Sequence, residues 1–432
     1  MTGQARPTPR AWLMWGVSAF LFLFAFFHRA APGVFAKELM QTFGATGTLI
    51  GILSATYYYS YAGLMIPAGV LLDRLGARRV VATGGLVMGG GTLMMALASG
   101  FPLLFAGRFL VGAGASVMFV GALKIAAAWF PAAYFATLSA TTAAIGVLGG
   151  LVATAPMAGL AAGLGWRGAF VTVGVVTLVG AVACVALVRD RPPVADPMGA
   201  ASPPGWAAVL GGLGRVLGNW HTWPPFLGFF FLYSATNNLI FWIVPCLRDV
   251  YGLGMTDAAL YATAPSLALL VAGPLTGFVS DRVLRRRRLP YTVLTGLQFV
   301  GWTVFVLTLG RLPLGGLYAL LFGMGLVGAA FVLTWPLGRE VNPPELAGIA
   351  VAAVNLGGFV GAAVTQGPLG AILDAHWAGV TLAGARVYPV EAYRASFGAS
   401  AILVLCACLV SLFFRETRGE NVYVDARRRR PA

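Results

Sequence analysis

Three cations, Arg29, Arg108 and Lys124, stand inside long apolar runs. An ionisable group at membrane depth is costly and is a functional candidate by default. An arginine there can grip a carboxylate through two parallel hydrogen bonds, whereas a lysine offers a point charge. Arg29 lies eighteen residues beyond the start of its run, or ~27 Å along a helix at ~1.5 Å per residue. That depth would let it snorkel to the far interface. Pro32 and Gly33 argue instead for a broken helix, which favours a cavity. Arg108 also has a structural reading, as a guanidinium bonded to a neighbouring helix. Lys124 is near the end of its run, where snorkelling competes. Sixteen residues at ~100° each set these two about 160° apart, so at most one of them touches a ligand directly.

Uncharged polar groups add to the set. Asn237 and Asn238 are adjacent amides at mid-run and need partners, either another helix or a ligand. The pairs Tyr233/Asn237 and Ser234/Asn238 lie at i,i+4, so one pair can face a cavity while the other packs. Tyr57, Tyr58, Tyr59 and Tyr61 cannot all share one helix face, and Tyr57 and Tyr61 are taken as the binding candidates. Thr334, Trp335, Asn355 and Gln366 lie in later runs; Trp335 and Asn355 complete the binding set.

All fourteen acids fall in loops or at run ends. No carboxylate stands at mid-depth to relay a proton. Glu340, beside Arg339, is the nearest coupling candidate and competes with a local salt bridge. Cationic groups without a mid-depth acid suit an anionic ligand. Cys184, Cys246, Cys406 and Cys408 lie in or beside apolar runs without metal-ligand spacing to a histidine, so neither a metal, a cofactor nor a disulfide framework is expected. No G-x-x-x-x-G-K-[ST] loop is present, which disfavours an ATP-driven pump, and nothing suggests catalysis.

The elements that carry these residues follow from composition. Of 432 residues, 59% are hydrophobic and 10% charged, and the mean hydropathy is +0.83. Soluble domains carry about 25% charged residues, so a soluble enzyme is excluded. The net charge of +15 is spread between the apolar runs rather than along one face, which argues against nucleic acid. The run Ala11–Phe27 could pass for a signal peptide, with Val34-Phe35-Ala36 as its cleavage site. His28 and Arg29 interrupt the region and eleven more runs follow, so it reads as the first span.

Spans are expected near 11–36, 47–72, 80–99, 102–129, 137–162 and 168–188, then 223–248, 259–280, 290–310, 313–338, 346–371 and 392–414. The Pro-, Gly- and Ala-rich stretch 189–222 divides them into an N-terminal six-helix bundle, 1–188, and a C-terminal one, 223–414, with a basic tail at 415–432. If the N-terminus is cytoplasmic, that side holds twenty Lys and Arg against six opposite, so both termini are expected in the cytoplasm.

A repeat links the halves. GVLLDRLGARR, Gly69 to Arg79, lies between spans 2 and 3, and GFVSDRVLRRRR, Gly277 to Arg288, lies between spans 8 and 9. Gly69 and Gly277 are 208 residues apart, and so are Asp73 and Asp281. A carboxylate at a helix end can accept from the amides of a neighbouring helix N-terminus.

Along its whole length the chain resembles the major facilitator superfamily. The loop pattern G-x-L-x-D-R-x-G-R-R is met by Gly69, Leu71, Asp73, Arg74, Gly76, Arg78 and Arg79, and the span-4 pattern R-x-x-x-G-x-G-A by Arg108, Gly112, Gly114 and Ala115. Trp129-Phe130-Pro131 and Gly165-Trp166-Arg167 look like further family landmarks. The resemblance implies an all-α membrane protein of twelve transmembrane helices in two six-helix bundles, alternating access, and a central cavity lined by spans 1, 4, 7 and 10. It also implies a cytoplasmic latch built from Gly69, Asp73, Arg74, Gly76, Arg78, Gly277, Asp281 and Arg282. Leu284 replaces the second glycine in the second copy, so a different turn is expected there.

Within the superfamily, the His28-Arg29 pair sits where organic-anion symporters often carry Asp-Arg. Dipeptide carriers related to a lysosomal protein are similar in layout, without a residue-by-residue peptide motif. The expected function is secondary or exchange transport of a small organic anion, a carboxylate above all. The alternatives are a carrier of short peptides or amphipathic drugs and, more remotely, a membrane sensor or scaffold. The partners expected are a small anionic molecule and the lipid bilayer, with no nucleic acid. The chain is expected to be monomeric, and its two lysines among 29 basic residues suggest a bacterial inner membrane.

Overall fold

The computed structural model describes residues 7–131, 134–192 and 205–423. Of the linker 189–222, residues 193–204 lie outside the described residues, and of the tail 415–432, so do residues 424–432, with Arg427 to Arg430. The first half holds α1 (Pro9–Val34), α2 (Ala36–Phe43), α3 (Gly47–Leu75), α4 (Ala77–Ala96), α5 (Phe101–Ala115), α6 (Met118–Trp129), α7 (Phe135–Val152) and α8 (Ala155–Leu187). After α9 (Trp206–Leu217) come α10 (Trp223–Tyr251), α11 (Met255–Tyr261), α12 (Thr263–Phe278), α13 (Arg288–Thr308), α14 (Leu314–Gly328), α15 (Thr334–Glu340), α16 (Ala347–Ala375) and α17 (Val390–Ser411). A two-residue hairpin, β1 (Thr381–Leu382) with β2 (Ala385–Arg386), precedes α17.

Among the described residues, eleven helical segments are long and apolar enough to cross a membrane, and Thr137–Val152 is a shorter apolar helix. Their ends follow local chemistry. Thr8 caps α1 by accepting from the Ala11 amide at 3.2 Å, with Pro9 in the first helical position. Thr46 caps α3 by accepting from the Leu49 amide at 3.1 Å. The expected span 137–162 is divided differently: α7 stops at Val152, and a helix restarting at Ala155 runs on through Gly165, which takes φ +66. Only glycine adopts that conformation without steric cost, so the break falls there.

The chain forms two compact units, one of residues 1–204, 240–263 and 366–389, the other of 205–239, 264–365 and 390–432. In the first unit, α4 and α5 approach backbone to backbone. A Cβ on Gly107 would stand 2.6 Å from the Gly91 carbonyl oxygen, and one on Gly84 would stand 2.8 Å from that of Gly114. Small residues allow this approach, which membrane helices use because lipid gives no hydrophobic drive for their association. In the second unit, Trp302, Phe305 and Phe397 pack α13 on α17, all fully buried.

Candidate functional site

The first unit gathers Arg29, Arg108 and the tyrosines around the last turns of α1. Arg108, 1% exposed, donates from Nη1 to the His28 carbonyl at 2.5 Å and from Nη2 to the Arg29 carbonyl at 3.1 Å. Its guanidinium lies over the Tyr57 ring, 4.8 Å from the centroid. The Tyr57 hydroxyl donates to the Ala25 carbonyl at 3.1 Å, and Tyr61 stacks on Tyr57 at 5.8 Å. The buried His28 ring sits between the hydroxyls of Thr177 (3.0 Å) and Thr92 (3.3 Å). Arg29 is half-buried, its guanidinium 3.9 Å from the Phe26 ring centroid.

The R-x-x-x-G spacing has a physical basis here. Gly112 is one turn beyond Arg108 on the same face of α5, and a Cβ at that position would run into the Tyr57 carbonyl and Ser60 Oγ. Its absence lets α3 close in, so that Tyr57 lies beneath the guanidinium.

Lys124 is brought elsewhere. Its Nζ donates to Asp73 Oδ1 at 2.8 Å and to the Leu72 carbonyl, at the loop between α3 and α4. In that loop Gly76 takes φ +84, and a Cβ on it would stand 2.5 Å from Asp190 Oδ2. The carboxylate at the α4 N-terminus is therefore Asp190, which accepts from the Arg78 amide at 2.8 Å. The Arg78 side chain donates to the Val185 carbonyl, at 3.0 Å from Nε and 2.6 Å from Nη2. Arg74 is exposed, and Gly69 has no close neighbour.

In the second unit the corresponding loop is built from different partners. Glu416 accepts from the Arg287 and Arg288 amides at the start of α13, at 2.8 and 3.1 Å. Asp281 pairs with Arg287, and Glu340 accepts from the same guanidinium at 2.9 and 3.3 Å. Burial opposes the Arg287 charge, but the hydrogen bonds to Glu340 and Asp281 outweigh it and raise its pKa. Thr417 donates to Glu340 as well. Arg282 is exposed, and Gly277 faces open space.

The polar residues of α10 are mostly satisfied. Asn237 donates to the Tyr233 carbonyl at 2.8 Å and Asn238 to Ser400 Oγ at 2.6 Å. Trp335 packs against Phe229 and Phe331, and Asn355 is half-buried in α16. Among the described residues, Asn238 Oδ1 and Trp335 Nε1 are buried without a hydrogen-bond partner.

A second polar cluster in the first unit was not foreseen. Asp374 accepts from the Gly47 and Thr48 amides at the α3 N-terminus (2.8 and 2.7 Å). It also accepts from Thr48 Oγ1 (2.5 Å), the Tyr388 hydroxyl (2.7 Å) and Arg386 Nη1 (3.0 Å). Lys37, 4% exposed, pairs with Asp249 at 2.5 Å and donates to the Arg386 carbonyl at 2.5 Å. Tyr388 returns its amide to Asp249 at 3.1 Å, and Arg248 pairs with Glu38 at 2.7 Å. Burial lowers the Lys37 pKa, and Asp249 works against that shift. The one signal that could have found this cluster is the scarcity of lysine, which makes Lys37 unusual.

The family described as Major Facilitator Superfamily matches residues 18–366. "Uncharacterized transporter YybO" of Bacillus subtilis is 22% identical over 381 residues, covering 83% of this chain and 88% of that protein. "Probable galactarate/D-glucarate transporter GarP" of Escherichia coli is 24% identical over 382 residues, covering 80% and 84%. The crystal structure of a bacterial homolog to the human lysosomal transporter Spinster superposes with a TM-score of 0.79 at 16% identity, covering 96% of this chain and 98% of that one. That last likeness concerns the fold alone. With its helices, its paired loop motifs and a family match over most of its length, the chain belongs to the major facilitator superfamily.

Proposed function

We propose that the chain carries a small organic anion, a carboxylate, across a bacterial inner membrane as a secondary transporter. One observation carries the reading: Arg108 is buried at membrane depth, bonded to carbonyls and, among the described residues, paired with no carboxylate. A buried cation without a counter-ion attracts an anion. Arg29, on the turn that Arg108 holds, is the proposed first contact, with Tyr57 and Tyr61 beside it. The name of the Escherichia coli relative, which specifies galactarate and D-glucarate, supports an acid as cargo.

The purified chain should gain thermal stability with small carboxylates and not with their neutral amides. Ligand at a hundred times its Kd adds about 2.7 kcal/mol. Stabilisation by hydrophobic dyes or short peptides, with none from carboxylates, would overturn the reading.

In this proposal residues 1–188 and 223–414 are the two working halves of a monomer, joined by 189–222, with both termini in the cytoplasm. Asp73, held by Lys124, serves the gate rather than the cavity. Asp73→Asn should slow turnover several-fold and leave ligand affinity near wild type. Lost affinity at unchanged turnover contradicts the gating role.

A further inference from the structure

Pro32 lies inside α1, which nevertheless runs unbroken from Pro9 to Val34. Proline has no amide hydrogen, so it cannot donate to the carbonyl four residues earlier, and its ring crowds that carbonyl. Here that carbonyl belongs to His28. In a membrane no water is at hand to satisfy it, and an orphaned backbone oxygen is costly. The oxygen is nonetheless bonded: Arg108 Nη1 reaches it at 2.5 Å from α5. Nη2 reaches the next carbonyl, that of Arg29, at 3.1 Å.

We propose that Arg108 is a positioning residue: its guanidinium supplies the hydrogen bond that Pro32 removes from α1 and so fixes the turn that presents Arg29. The inference rests on the reading above that Arg29 meets the anion. Four further contacts support the same turn. The Tyr57 hydroxyl holds the Ala25 carbonyl at 3.1 Å, and the Tyr57 ring supports the guanidinium. Thr92 and Thr177, from α4 and α8, hold the two nitrogens of the His28 ring. The turn is thus clamped from four helices besides its own, α3, α4, α5 and α8. Both terminal nitrogens of Arg108 are used on backbone oxygen, and the side chain is 1% exposed. This is the geometry of a brace. Its Nε, buried and without a partner among the described residues, is the atom through which a direct contact with ligand would have to be made.

The brace hypothesis couples two positions that a direct-contact role does not. Pro32→Ala restores an amide that can bond the His28 carbonyl, which makes the guanidinium dispensable there. The test is a double-mutant cycle on the full chain, Arg108→Gln with and without Pro32→Ala, and Arg108→Lys as the conservative variant. Melting is followed without ligand, and binding is followed with D-glucarate as the probe. In the Pro32 background, Arg108→Gln should lower the melting temperature by about 2–4 °C. It should also weaken D-glucarate binding about tenfold. Arg108→Lys, which keeps one donor, should fall between. In the Pro32→Ala background both losses should shrink to about a third or less. Equal losses in both backgrounds would overturn the brace and leave Arg108 as a ligand contact. Coupling in the ligand-free melts with no D-glucarate binding by any variant would keep the brace and sink the acid-transport reading beneath it.

Discussion

Asp374→Asn is expected to destabilise the chain by about 3 kcal/mol. The carboxylate accepts from two backbone amides, two hydroxyls and a guanidinium, and its side chain is 16% exposed. Asparagine keeps the size but loses the charge. It also turns a hydrogen-bearing nitrogen toward groups that are themselves donors. The α3 N-terminus loses a favourable anion, and Arg386 loses its counter-ion. Removing one partner of a buried, hydrogen-bonded ion cluster costs about 3–5 kcal/mol, and the remaining exposure places this case at the low end. Thermal or denaturant unfolding of the purified variant measures it. A change below about 0.5 kcal/mol would show that the other donors in this cluster find water or one another without cost.

Much of the fold was legible because periodicity, caps and glycine act locally. Thr8 and Thr46 start their helices, and the paired G-x-x-x-D-R loops fall at equivalent places. The substitution at Leu284 also has its expected consequence. Where the first loop turns at Gly76 with φ +84, the second passes through a π-helical turn and places Arg285 at φ +48. The division of spans 5 and 6 was less legible, because Gly165 is one of 58 glycines and composition does not say which of them breaks a helix.

The grouping of the candidate residues was legible only in part. Arg29, Arg108 and Tyr57 do meet at one turn, since burial cost alone marks charges at membrane depth. Lys124 goes to Asp73, because a long flexible side chain reaches a carbonyl and a carboxylate that helical angles do not reveal. The cluster around Asp374 joins residues more than 300 positions apart, and nothing in a single sequence specifies such pairing. The same limit explains why Asp190 and Glu416, rather than the loop aspartates, cap α4 and α13.

The largest functional effect is expected at Arg29. Its guanidinium is half-buried, near the end of α1, on a turn held by Arg108 and the His28 ring. A carboxylate brought there can take two parallel hydrogen bonds from the planar fork, which an ammonium cannot reproduce. Losing a charge-assisted contact costs ~1.5–3 kcal/mol, or about ten- to a hundredfold in affinity. A residue that merely snorkels would behave otherwise, because lysine reaches the interface equally well. The deciding measurement is the carboxylate affinity of purified Arg29→Lys and Arg29→Ala beside wild type, at matched folded yield. The account predicts a loss of at least tenfold for lysine and near abolition for alanine; an Arg29→Lys variant that binds as tightly as wild type would contradict it.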